Sequence, residues 1–243
     1  MYRLLPILLL LLPARAYPGW GDLLELFNDD ESAIVTASTL SDSEIIDGLK
    51  AALGEGADKA IAALGRSNGY YKDSDVRIPI PESLEAVSKG LKTLGRPQLA
   101  DDFERSLNRA AEQAVPAASG IFADTIREMS VSDARNILHG PDNAASEYFR
   151  DKSGDKITER FLPIVADATD RVGVTSRYKS LIVELGPLAK WIDADAVDLD
   201  RYITNQAVDG LFLKIAEEEK RIRENPLART SELLKKVFGS HIK

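Results

Sequence analysis

The stretch PQLADDFERSLNRAAEQA, residues 97–114, decides the fold of this chain. Pro97 suits the first position of a helix, where its missing N–H would be unpaired anyway. Behind it Leu99, Phe103, Leu107, Ala110 and Ala114 recur at helical spacing and form one apolar stripe. Such a helix must bury its stripe against a neighbour, so the reading turns on whether the flanking sequence supplies more helices.

It does in both directions. Downstream, Pro116 interrupts and helix resumes over 121–129, and Ser130-x-x-Asp133 caps a short helix that stops before Gly140-Pro141. Segments 143–152, 155–172 and 175–185 follow. In the second, Ile157, Phe161, Ile164, Ala168 and Val172 share a face, and Pro163 is expected to kink it. Gly186-Pro187 and the acidic run 193–200 read as loop, and its aspartates as helix-cap acids. A long helix then covers 199–224 with Ile203, Ala207, Leu211, Ile215 and Ile222 in line. Asn225-Pro226 ends it, and 231–238 forms a last short helix. Upstream, Pro81 opens a helix that ends at Gly95. Ser41-x-x-Glu44 opens another that ends at Gly65, inside which Gly54 and Gly56 mark a close neighbour or a break. The irregular stretch is 67–81, where Asn68-Gly69 signals a turn and Pro79 and Pro81 keep 76–80 extended. The fold class expected is all-α. One multi-helix domain of about eight to ten helices, with one short extended loop, covers residues 41–239, between an N-terminal segment 17–40 and a tail 240–243.

Residues 1–16 read as a cleavable signal peptide: Arg3, an apolar run over 4–12 broken by Pro13, and the small-x-small Ala14-Arg15-Ala16. The expected destination is the periplasm by the general secretion route, with no transmembrane segment after cleavage. The remainder is long enough to bury about 70% of its unfolded surface. There is no cysteine, so packing must supply the stability and thiol chemistry is excluded. The formal charge of −8 becomes two units more negative when Arg3 and Arg15 leave with the signal, which argues against nucleic acid as a partner.

Several segments resemble a bacterial family of exported proteins, domain-of-unknown-function family 4197. They are Arg77-Ile78-Pro79-Ile80-Pro81, Asn108-Arg109-Ala110-Ala111-Glu112, Tyr148-Phe149-Arg150, Phe161-Leu162-Pro163, Asp209-Gly210-Leu211-Phe212, Ala216-Glu217-Glu218-Glu219 and Leu234-Lys235-Lys236-Val237-Phe238-Gly239. The resemblance implies a bacterial source and an envelope location, and no activity. Some members look lipid-anchored through a cysteine; this chain lacks that residue, so a soluble form is expected.

No stretch specifies a reaction or a ligand. His139 and His241 are the two histidines, neither in a zinc pattern, so no metal site and no cofactor is expected. There is no Gly-x-Ser-x-Gly elbow, and Ser176-Arg177-Tyr178-Lys179 is set aside as a nucleophile. Glu104, Asn108 and Glu112 sit four apart on one helix face, so the two acids are the candidates for carboxylate catalysis; a solvated face is the plainer reading. Glu217-Glu218-Glu219 is read as surface i,i+4 pairs such as Glu217 with Arg221. The candidate binding residues are Tyr70, Tyr71, Arg77, Asn108, Arg109, Tyr148 and Arg150: polar-tipped aromatics beside arginines make a rim for a ligand, or equally seal a loop onto a core. The expected function is non-catalytic binding of a partner protein or a small amphiphile. The rivals are a hydrolase-like envelope enzyme using the carboxylates and a structural or assembly factor. Oligomeric state is left open.

Overall fold

A computed structural model describes residues 42–185 and 198–224. The expected signal peptide over 1–16, the segment 17–40, the expected Ser41 cap, Gly186-Pro187, most of the acidic run, the helix expected over 231–238 and the tail with His241 lie outside the described residues. Contacts divide the chain into Met1–Thr39 and Leu40–Lys243, and every described element belongs to the second unit. In order these are α1 (Asp42–Gly65), a 3-10 turn (Glu82–Leu84), α2 (Glu85–Thr93), α3 (Pro97–Ala114), a 3-10 turn (Val115–Ala117), α4 (Ala118–Glu128), α5 (Val131–His139), α6 (Ala144–Val172), α7 (Val174–Leu185) and α8 (Leu199–Glu224). Among the described residues there is no strand, and no helix is long and apolar enough to cross a membrane.

The decisive helix is also the central one. α3 touches α1, α2, α6, α7 and α8. It buries Ala100, Phe103, Ser106, Leu107, Asn108, Ala110, Ala111, Glu112 and Ala114, a far wider face than the five-residue stripe. The small Ala110 and Ala111 let neighbours approach from two sides. Around it α6 and α8 form the most extensive pairing. Phe122 sits edge-on to Phe149 and Phe212, with ring centroids 5.1 Å and 6.0 Å apart, so α4, α6 and α8 share one aromatic contact. Each such buried ring contributes about 2–3 kcal/mol of transfer free energy.

Two helices run unbroken where the sequence left room for breaks. α1 passes through Gly54 and Gly56 without a break; a Cβ would stand at ordinary contact distance from Ile126 of α4, 3.9 Å, at the first and from the Glu218 Cβ of α8, 3.7 Å, at the second. α6 joins the two expected segments, 143–152 and 155–172, into one. Ser153 is fully buried and returns its hydroxyl to the Phe149 carbonyl at 2.5 Å, and Thr158 does the same to Gly154 at 2.9 Å. Packing holds the helix through residues of weak propensity. The Ser130 capping box closes both ways, with Asp133 N donating to Ser130 Oγ at 3.1 Å and Ser130 N to Asp133 Oδ2 at 3.0 Å. Asp198 caps α8, accepting from Arg201 N at 2.9 Å.

The acidic triplet on α8 is not three surface pairs. Glu217 turns back to Lys214 at 2.9 Å, and Arg221 pairs with Glu218 in place of Glu217. Glu219 is buried. It accepts from the Ala145 and Ser146 backbone N–H groups, both at 2.9 Å, and from the Ser146 hydroxyl at 3.1 Å. Arg223 donates to Glu219 at 2.9 Å and to the Ile137 carbonyl at 2.8 Å. A carboxylate thus caps the positive start of α6, and its guanidinium partner caps the negative end of α5. The periodic i,i+4 reading missed this because the cap comes from a different helix. Removing one member of a buried pair strands the other, so Glu219→Ala should destabilise the protein by about 3 kcal/mol in urea unfolding, while Glu217→Ala should stay within ~0.5 kcal/mol.

Candidate functional site

The loop between α1 and α2 determines what the surface offers. It leaves α1 through Asn68, whose φ of 61° is left-handed, a conformation asparagine tolerates. Gly69 follows against the helix end; a Cβ there would meet the Leu64 carbonyl oxygen at 2.3 Å, so only glycine fits. This turn aims the backbone N–H groups of Asn68, Tyr70 and Tyr71 at the carboxylate of Glu112, with Tyr70 N 3.3 Å from Oε1. Burial pushes the Glu112 carboxyl above the ordinary carboxylate value; the three N–H groups and nearby Arg109 offset only part of that rise.

One turn back on α3, Asn108 receives the loop as a strand would. Ile78 N donates to Asn108 Oδ1 at 2.9 Å, and Asn108 Nδ2 donates to the Ile78 carbonyl at 2.8 Å. The same amide donates to the Glu104 carbonyl at 2.8 Å. A further turn back, Glu104 takes Arg77 in a fork, Nε to Oε1 at 2.8 Å and Nη2 to Oε2 at 3.0 Å. Tyr202 donates to the Pro79 carbonyl at 3.0 Å, and Lys214 pairs with Asp73 at 2.8 Å, so α8 fastens the loop's other side. The face of Glu104, Asn108 and Glu112, for which a solvated surface was the plainer expectation, is covered by backbone. Both carboxylates are occupied in holding the loop.

Tyr70 is no rim residue. It is fully buried, its hydroxyl donates to the Ala207 carbonyl at 2.7 Å, and its ring lies on Gly210, where a Cβ would stand 2.8 Å from Cε1. Burial, then the Glu112 charge, raise its pKa well above the phenol value. Tyr71 is half-buried between two cations, with Arg77 4.3 Å and Arg105 5.1 Å from the ring centroid. The remaining candidates belong elsewhere. Arg150 on α6 pairs with Asp209 at 2.9 Å and lies over Phe212 at 4.6 Å; Tyr148 is edge-on to Phe149.

Sequence reasoning missed the most distinctive surface. Beside Tyr71, Arg105 and Arg109 project from consecutive turns of α3 into a cleft of about 490 Å³, where Arg171 and Arg177 meet them with Asp102, Ser106 and Val172. Arg171 is held by Asp167 at 2.6 Å. Gly173 has a φ of 76° and ends α6, and a Cβ on it would lie 2.8 Å from Arg177 Nη1. Glycine there lets Arg177 fold back and donate to the Val172 and Gly173 carbonyls, the latter at 3.2 Å. Arg109 makes no hydrogen bond or ion pair among the described residues. Of the residues that line it, Arg109 alone was among the binding candidates named from sequence. Ser176 and Lys179 have serine-x-x-lysine spacing, but Ser176 is exposed and donates to the Gly173 carbonyl at 2.9 Å.

The family described as Protein of unknown function (DUF4197) matches residues 39–239, and the chain belongs to it. No curated protein and no solved structure matches the chain.

Because the Glu112 pKa is raised on folding, the stability this group contributes is present below the ordinary carboxylate value and lost as the pH rises through the raised one. Urea unfolding of wild type and Glu112→Gln between about pH 7.5 and about pH 4.5 should show the difference moving in favour of wild type as pH falls. A constant difference would mean the carboxyl is not perturbed.

Proposed function

We propose that this chain is an exported, non-catalytic binding protein, carried to the periplasm by residues 1–16, and that its ligand is anionic and seats in the arginine cleft. The observation that carries this is four guanidinium groups around one concavity of a chain whose formal charge is −8. Like charges placed together cost free energy unless a ligand or counter-ion neutralises them. Each guanidinium presents a planar fork of donors suited to carboxylate or phosphate oxygens. The volume is that of a small-molecule site. Of the partners considered from sequence, the reading favours a charged small molecule or the charged part of an amphiphile. Against catalysis by Glu104 and Glu112 stands their occupation by the loop, outside the residues that line the cleft.

The purified protein should bind a fluorescent dextran sulfate oligomer in an anisotropy titration, with affinity falling steeply from ~50 mM to ~300 mM salt. Replacing Arg105 and Arg109 together by Ala should weaken it by about tenfold or more, and replacing the exposed Lys152 and Lys156 should not. Equal losses in both pairs would sink the idea of a specific cleft.

A further inference from the structure

Resting on that reading, we infer that the group the cleft takes is a phosphomonoester dianion. The charge of the cleft's lining bears on which anion it takes. Four arginines line it, but Asp102 lies among them and Asp167 already pairs with Arg171. Arg177 spends Nη1 on the carbonyls that end α6, which carry about half a negative charge. Counting the residues that line the cleft together with Asp167, and leaving aside Glu112 behind Arg109, the charge is about +1.5, close to the roughly −1.5 to −2 of a phosphomonoester near neutral pH. A monocarboxylate would leave about a third of it unneutralised, and a polyphosphate would exceed it.

The donors point the same way. Arg171 directs Nε and Nη2 to Asp167, leaving Nη1 uncommitted. Arg177 leaves Nε and Nη2, and Arg105 is positioned by its contact with Tyr71. With Arg109, donors approach from two consecutive turns of α3 on one side and from the α6–α7 corner on the other. A carboxylate offers two oxygens in one plane, whereas a phosphate monoester offers three in a tripod that several forks can reach together. The two anchored guanidiniums are ordered before a ligand arrives, which lowers the entropy lost on binding. Tyr71, half-buried against Arg105 and Arg77, holds one of the cleft's arginines from outside the residues that line it.

The ester could reside on a soluble sugar or on a lipid, and the test separates them. Calorimetric titration of the purified protein with glucose 1-phosphate should show binding at about pH 7.5 that weakens severalfold by about pH 5, because the ligand's second proton returns near pH ~6 while arginine does not titrate. Glucuronate, the carboxylate of similar size, should bind at least about tenfold more weakly. Arg109→Ala should remove most of the glucose 1-phosphate affinity, Arg109→Lys should recover part of it, and Asp102→Asn at an exposed position should raise it by about threefold. Sedimentation with phosphatidylcholine vesicles containing phosphatidate, in place of binding to the sugar phosphate, would support the same dianion on a lipid. Equal affinity for glucuronate with no pH effect would overturn the phosphate assignment and leave an anion cleft. No binding of either sugar or of phosphatidate vesicles, with dextran sulfate still lost on removing Arg105 and Arg109, would overturn the assignment alone. If dextran sulfate is also insensitive to that pair, the cleft itself is not a site.

Discussion

The structure depends on one requirement: a stretch of irregular backbone laid across the central helix must have its polar groups paired. Asn108 meets it at the middle, giving Ile78 both an acceptor and a donor as a neighbouring strand would. Leaving a buried backbone group unpaired costs about 1–3 kcal/mol, so this single amide decides whether the loop can lie there at all. Glu112 and Glu104 extend the same service one turn on either side, to a turn of N–H groups and to Arg77. With its polar groups satisfied, the loop can press Tyr70, Val76 and Ile78 into the core. Gly210 on α8 is then the space that Tyr70 and Val76 occupy.

This arrangement explains why one short motif carries so much. In Asn108-Arg109-Ala110-Ala111-Glu112 the first and last residues hold the loop, the alanines admit neighbouring helices, and Arg109 faces the cleft. Asp209-Gly210-Leu211-Phe212 divides similarly into an ion pair, a loop seat and two core side chains. The loop in turn holds Tyr71 against Arg105, so fastening it also supports one of the arginines that line the cleft. Structure and proposed binding therefore share the same helix.

Local signals were legible in the sequence and distant ones were not. The Ser130 capping box, the Asn68-Gly69 turn, the extended stretch before Pro81 and the span of α8 follow from neighbours within a few residues. The Glu104-Asn108-Glu112 face was open to misreading because polar residues at helical spacing mark solvent and a covering polar backbone alike. The adjacent Ala110 and Ala111 were the available hint, since they widen the buried face beyond the Phe103–Leu107 stripe. Glu219 was read only in part for a like reason: it does pair with Arg223 four residues on, but the backbone N–H groups it caps lie on α6. The cleft was invisible because Arg171 and Arg177 reach Arg105 and Arg109 only through the packing of α6 and α7 on α3.

Amide hydrogen exchange on the native protein tests the central claim most directly, because it reads the loop's pairing one residue at a time. If Asn108 and Glu112 hold the loop as described, the Ile78 and Tyr70 amides exchange as slowly as those in the core of α3. If both exchange as fast as an exposed turn, the loop is not fastened to α3, and the account of the fold and its cleft is contradicted.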